Sequence, residues 1–363
     1  MKKIRLATIS GVGLCTLALA TAFGQTPKVA PTVDDDGTAH IPAFDLPFSA
    51  YASPEAKALY VLRARKPLPY FKLAPGTPIA QVRKVMDEEW FGPQLAAANA
   101  KYHVTVENQT IGGVHTQVFT PKDGISSRNA HHVLINLHGG GFNVGALINS
   151  QVESVPLAAV GRIKVISIDY RMAPEFHFPA ASEDVAAVYR ELLKTYKHGE
   201  IAIYGCSAGG MLTGEAVAWF QKVGLPAPAS IGIFCASTRV PMLGDSAYVT
   251  PRLGGILPAP RPESAIGYFE GSNLSDPLVA PSASPSVLAK FPPTLIITGT
   301  RSGDMSAASR TAIDLAKAGV DARLYLWDGV DHSFFVEVGL PESQEAYDIM
   351  VKFFEEHFDK TRT

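Results

Sequence analysis

The sequence predicts an α/β fold: a mostly parallel central sheet with helices on both faces. Three observations carry this expectation. From about residue 130 onward, apolar runs of strand length alternate with longer runs of helical period. The pentapeptide Gly205-Cys206-Ser207-Ala208-Gly209 joins one such strand to one such helix. The 363 residues, 47% hydrophobic and 18% charged, have ordinary globular composition, enough for one large domain with an insertion or for two smaller ones.

The elements follow in order. Lys2, Lys3 and Arg5 precede an uncharged, mostly apolar stretch over 6–22. Ala20-Thr21-Ala22 and Ala22-Phe23-Gly24 supply small residues for a signal peptidase, so 1–24 read as a cleavable signal peptide. The mature protein is then exported, periplasmic or secreted, with no stable membrane insertion. An uncleaved anchor is the alternative, but the stretch is short for a span and rich in Gly, Thr and Ala. Cys15 follows Leu14 rather than a small residue, which disfavours a lipoprotein signal. Residues 25–40, rich in Pro, Asp, Gly and Thr, read as a mobile leader. Over 53–100 the apolar period becomes helical (Ala56, Leu59, Tyr60, Leu62; Val82, Met86, Trp90), with Ser53-Pro54 as N-cap and first helical position. Residues 25–100 are thus assigned to the leader and N-terminal cap helices, and 101–363 to the main α/β domain.

That domain opens with two strands, 103–107 and 114–120, around Gly112-Gly113. Strands follow at 132–137, 164–169, 201–204, 230–235, 294–300 and 322–327. Helices are expected at 181–196, 208–223, 307–319 and 343–358. Residues 239–288 interrupt the alternation, with about 8 of the chain's 27 prolines and no long periodic run. A loop of that length reads as a cap insertion folded over the strand ends.

The chemistry centres on Ser207. A Gly-x-Ser-x-Gly turn between strand and helix is a nucleophile elbow, so tight that only small residues can flank the serine. His138-Gly139-Gly140-Gly141, also at the end of an apolar run, is a glycine loop whose N–H groups can point at a developing oxyanion. A serine needs a base, and the base an acid to hold its tautomer. On such a scaffold both follow the nucleophile, in loops after the last strands. His332, in Gly329-Val330-Asp331-His332-Ser333-Phe334, occupies the base's place. Asp304 is the one carboxylate in the loop after the preceding strand, although it also reads as a helix N-terminal residue favoured by the dipole. Asp314 falls inside the helix pattern, and Asp331 adjoins the histidine on the wrong side of its Nδ1.

The formal net charge of −2 gives no support for a nucleic-acid partner. Cys15, Cys206 and Cys235 show neither metal spacing nor a disulfide framework. No metal and no cofactor is expected, and Cys206 and Cys235 are expected as buried free thiols.

From about residue 130 to the C-terminus the chain resembles the bacterial hormone-sensitive-lipase-like esterases, family IV, the α/β-hydrolase fold-3 group. The resemblance rests on His138-Gly139-Gly140-Gly141-Phe142, the run from Asp169 to Glu175, Phe178-Pro179-Ala180 with Asp184, Ser207-Ala208-Gly209-Gly210 and Asp276-Pro277. It implies a Ser207–Asp304–His332 triad, a mobile cap, and hydrolysis of short-chain carboxylic esters without metal or cofactor. By position it implies oxyanion donors at Gly140, Gly141 and Ala208. Arg171 and Glu175, which look like a surface ion pair, would brace the wall around the catalytic loops. Three departures stand out. Cys206 replaces the acidic residue usual before the nucleophile. His177 is displaced by one position in Glu175-Phe176-His177-Phe178. Ser302 occupies the place where many relatives carry the acid, with Asp304 two residues later. The partner expected is a small-molecule ester, and a homodimer is compatible with the sequence. Two other functions stay open: an esterase removing acetyl groups from sugars or polysaccharides, and a non-catalytic binding protein on the same fold.

Overall fold

The computed structural model describes residues 30–65, 73–74, 76–253 and 267–360. The expected signal peptide over 1–24 lies outside them. The chain divides into two compact units, Met1–Phe48 and Ser49–Thr363. In the first, β1 (Thr32–Val33) and β2 (Ala39–His40) pair antiparallel around a turn at Gly37, and Asp34 meets His40 Nε2 at 2.8 Å. Part of the expected leader is therefore a short, exposed hairpin.

The second unit is built on an eight-stranded sheet. Its strands are β3 (Val104–Ile111), β4 (Val114–Pro121), β5 (Val133–Leu137), β6 (Lys164–Ile168), β7 (Ile201–Cys206), β8 (Ser230–Phe234), β9 (Thr294–Gly299) and β10 (Ala322–Trp327). Their order is β10-β9-β8-β7-β5-β6-β4-β3. Only the β3–β4 and β4–β6 pairings in this sheet are antiparallel. Strands β5, β7, β8 and β9 are buried along their whole length on both faces, as a helix-covered parallel sheet requires.

The helices are α1 (Pro54–Arg65), α2 (Ile79–Met86), α3 (Gly92–Lys101), α4 (Asn149–Gly161), α5 (Ala180–Leu192), α6 (Ala208–Val223), α7 (Asp245–Leu253), α8 (Pro285–Leu288), α9 (Met305–Lys317) and α10 (Pro341–His357). A π turn, Asp87–Phe91, joins α2 to α3. Ile135, Ile203, Ile233 and Ile296 on the strands form one core with Val185 and Tyr189 of α5 and Leu212 and Phe220 of α6.

Two elements depart from the sequence reading. Helix α4 has no amphipathic stripe to announce it, because it is buried nearly all round and carries Pro156 inside. The stretch 239–288 contains α7, whose short length and internal Pro251 hide its period. Helix α7 is tied to the start of α9 and the loop before it: Ser246 Oγ donates to the Gly303 carbonyl at 2.8 Å and accepts from the Ser306 N–H at 2.9 Å. Residues 254–266 of that stretch lie outside the described ones.

Parallel strands end at the same edge of the sheet. Register sets Leu137 opposite Gly205 and Cys206 opposite Phe234. The residues after β5, β7, β8 and β9 therefore emerge side by side.

Candidate active site

Ser207 sits in the turn from β7 into α6 with φ 57° and ψ −122°, a conformation L-residues seldom adopt. The turn is held there by close approach. A Cβ on Gly209 would lie 1.7 Å from the Leu137 carbonyl oxygen, so any side chain would drive β5 and α6 apart. The Ser207 N–H donates to Phe234 O at 2.8 Å, leaving the hydroxyl as its reactive group.

The glycine loop after β5 lies beside this turn. Gly140 has φ +122°, and a Cβ there would lie 2.1 Å from the Val144 carbonyl oxygen. The N–H groups of Gly140 and Gly141 donate to no acceptor among the described residues. Ala208 is the first residue of α6, where an N–H has no intrahelical acceptor. These are the donors the sequence reading selects.

His332 Nδ1 lies 2.9 Å from Asp304 Oδ1. Asp304 is 3% exposed and stands at the N-cap position of α9, yet its side chain makes no capping bond. It turns inward, accepting from Thr298 Oγ1 at 2.7 Å and from the Ser302 hydroxyl. Ser302 Oγ also lies 3.2 Å from His332 Nδ1. The loop thus brings Asp304 to the imidazole despite its shift of two positions, and Ser302 braces the pair. Asp331, as expected, faces elsewhere, accepting from the His332 N–H at 2.6 Å.

Burial works to raise the Asp304 pKa, but the His332 hydrogen bond and charge, with the Ser302 and Thr298 hydroxyls, hold it below the usual carboxylate range. For His332, burial disfavours the imidazolium, but the Asp304 hydrogen bond and the electrostatic influence of Cys235, Asp304 and Asp331 outweigh it. The net pKa is raised to about 9. Ser207 and His332 line one cavity of about 250 Å³ together with Gly140, Arg63 and Trp90. No hydrogen bond joins Ser207 Oγ to the imidazole; such contacts often tighten only once substrate is bound. A second cavity of about 320 Å³ is lined by His332, Tyr60 and Arg63 of α1 and Thr250 and Leu253 of α7.

Cys206 and Cys235 are buried free thiols. Both hold the residue after the histidine: Ser333 N donates to Cys235 Sγ at 3.1 Å, and Ser333 Oγ lies 2.8 Å from Cys206 Sγ. Sequence spacing does not associate Cys235 with the site, but its Sγ and ligand atoms of Asp304 and His332 lie within 4.8 Å of one another.

One expected pair does not form. Arg171 turns to Asp184 at 2.9 Å and to Glu183 at 3.0 Å on α5, whereas Glu175 binds Arg83 of α2 through two bonds of 2.7 Å. Arg83 also donates to the carbonyls of Asn143, at 2.8 Å, and Ala173, at 3.0 Å. It links the N-terminal helices to the exit of the glycine loop. No motif surrounds Arg83, so the sequence carries no signal for it.

A family profile described as the α/β-hydrolase fold matches residues 134–336. An acetyl-hydrolase of Streptomyces hygroscopicus is 29% identical over 235 residues, covering 62% of this chain and 76% of its own. Among solved structures, esterase E25 aligns with TM-score 0.77 and 29% identity, over 88% of this chain and 98% of that one. An esterase from the bacterial hormone-sensitive lipase family aligns with TM-score 0.72 and 26% identity, over 84% and 99%.

Proposed function

The chain belongs to the α/β-hydrolase fold family, among its bacterial hormone-sensitive-lipase-like esterases, and from that premise we propose that it cleaves short-chain carboxylic esters through an acyl-enzyme on Ser207. It is a carboxylesterase-type hydrolase. The observation that carries the finer reading is the 2.9 Å Asp304–His332 contact opening onto the cavity that Ser207 and Gly140 line.

His332 takes the Ser207 proton as the hydroxyl oxygen attacks the ester carbonyl. Asp304 holds the tautomer with Nδ1 protonated and stabilises the imidazolium that forms. The N–H groups of Gly140, Gly141 and Ala208 receive the negative oxygen of the tetrahedral intermediate. Collapse expels the alcohol, protonated by His332; water then repeats the sequence in reverse to release the acid and restore Ser207. Cavities of about 250 and 320 Å³ favour small acyl and alcohol groups. The acetyl-hydrolase relative supports an acetyl group on the acyl side, and acetyl esters of sugars stay the second reading; the basic–apolar segment over 1–24 supports export.

The test is labelling by a fluorophosphonate together with turnover of p-nitrophenyl esters of graded chain length. Label at Ser207, loss of label and turnover in Ser207→Ala, and a fall in kcat/KM beyond short chains are expected. An unlabelled wild-type protein would sink the reading in favour of a binding protein on this fold.

A further inference from the structure

We propose that Glu153 is a positioning residue for ester hydrolysis, its carboxylate setting the glycine loop so that the Gly140 N–H meets the oxyanion. The inference rests on the serine-esterase reading above.

Glu153 lies on α4, only 5% exposed. Its Oε1 accepts the Gly139 N–H at 2.8 Å and Asn149 Nδ2 at 3.0 Å, and its Oε2 accepts Asn136 Nδ2 at 3.0 Å. Asn136 Oδ1 accepts in turn from Ser167 Oγ at 2.7 Å. The carboxylate is thereby fixed to β5, β6 and its own helix, and it holds the loop through Gly139. No Lys or Arg among the described residues forms an ion pair with it. Burial pushes its carboxyl up to about 7 against the three donated hydrogen bonds. A well-packed apolar side chain would serve stability alone as well or better, because burying an unpaired acid is unfavourable.

The geometry shows what the acid does there. Gly139 is wedged between the elbow and this carboxylate: a Cβ on it would lie 2.9 Å from Cys206 O and 3.2 Å from Glu153 Oε1. Glu153 holds its N–H, and His138 Nδ1 meets its carbonyl oxygen at 2.8 Å. A trans peptide is planar, so fixing the Gly139 carbonyl aims the Gly140 N–H the opposite way. Both ends of Gly139 are therefore restrained, and the donor that follows is oriented before substrate arrives. Glu153 lines the same cavity as Ser207 and Gly140.

The experiment compares Glu153→Leu, Glu153→Asp and Glu153→Gln in the full-length protein, with p-nitrophenyl acetate as substrate. Rates are taken per active site counted by fluorophosphonate, and binding of an aryl trifluoromethyl ketone, whose adduct carries an oxyanion, is measured alongside. Glu153→Leu, and Glu153→Asp, which is one methylene too short to reach Gly139, should lose about 10- to 100-fold in kcat, approaching the loss of one oxyanion donor. KM should stay within about twofold and ketone affinity should fall in parallel with kcat. Glu153→Gln keeps an acceptor at full reach and should recover most of both. Should Glu153→Leu not fold, Glu153→Asp against Glu153→Gln decides. Wild-type kcat per site and ketone affinity in the folded Leu or Asp variant would overturn the inference, even if melting temperature fell. A wild-type protein that neither labels nor turns over would instead bring down the esterase reading and this inference with it.

Discussion

Asp304 and His332, 28 residues apart in the chain, meet at 2.9 Å through Oδ1 and Nδ1, with Ser302 bonded to the carboxylate and beside the same nitrogen. The acid comes from the loop after β9 and the base from the loop after β10, two parallel neighbours. A helix-start aspartate and a loop histidine thus become a coupled pair.

Asp304→Asn should lower kcat by at least about 10²-fold, since an amide favours the wrong imidazole tautomer; the equivalent change in a serine protease costs about 10⁴-fold. Melting temperature should change little, because the amide oxygen still accepts from Thr298 while the Ser302 hydroxyl can turn to accept from the amide N–H. Little loss here, with a large loss in Asp331→Asn, would relocate the acid.

The free-enzyme pH profile should rise as His332 loses its proton, because only the neutral imidazole is a base. With that pKa raised toward 9 by Asp304, activity falls as pH drops below it, and the midpoint lies above the ordinary value of about 6.5. Asp304→Asn should shift the midpoint down. Stability runs the opposite way: the His332 contribution is complete below about 6.5 and is lost as pH rises through about 9. A kcat/KM flat from about pH 5 to 9 would count against His332 as base.

Arg83→Ala should lower melting temperature by a few degrees, as loss of charge-assisted bonds to Glu175 and two carbonyls removes about 1–3 kcal/mol. The loss should fall at the low end of that range because Glu175 is 45% exposed. Arg83→Lys should not restore it, since an ammonium cannot reproduce the fork. Full stability of Arg83→Ala by calorimetry would show that the clamp is idle.

Chelators should leave turnover unchanged. Cys235, Asp304 and His332 come within 4.8 Å, but the acid and base bind each other and the thiol accepts from Ser333 N. Inhibition by EDTA that zinc reverses would overturn the serine mechanism.

Exported material should begin near Phe23 or Gln25 by N-terminal sequencing. An intact Met1 would favour an anchor.

Much of this molecule was legible in the chain. Alternating periods announced the parallel sheet. The elbow needs small residues on either side of Ser207, and the glycine loop needs backbone conformations that side chains exclude; both are local demands that leave local signatures. His332 was legible because the order of elements leaves one place for a base. What was not legible depends on partners distant in sequence. Glu175 chose Arg83 over Arg171 because α2 crosses the loop where Arg171 has turned toward α5. Helix α4 hid because burial on all sides erases the amphipathic period. Only the tertiary structure decided that Asp304 reaches the imidazole past Ser302, that two thiols hold Ser333, and that Glu153 lies under Gly139. Local sequence encodes what the backbone must do within one turn; meetings across the sheet are set by register and packing.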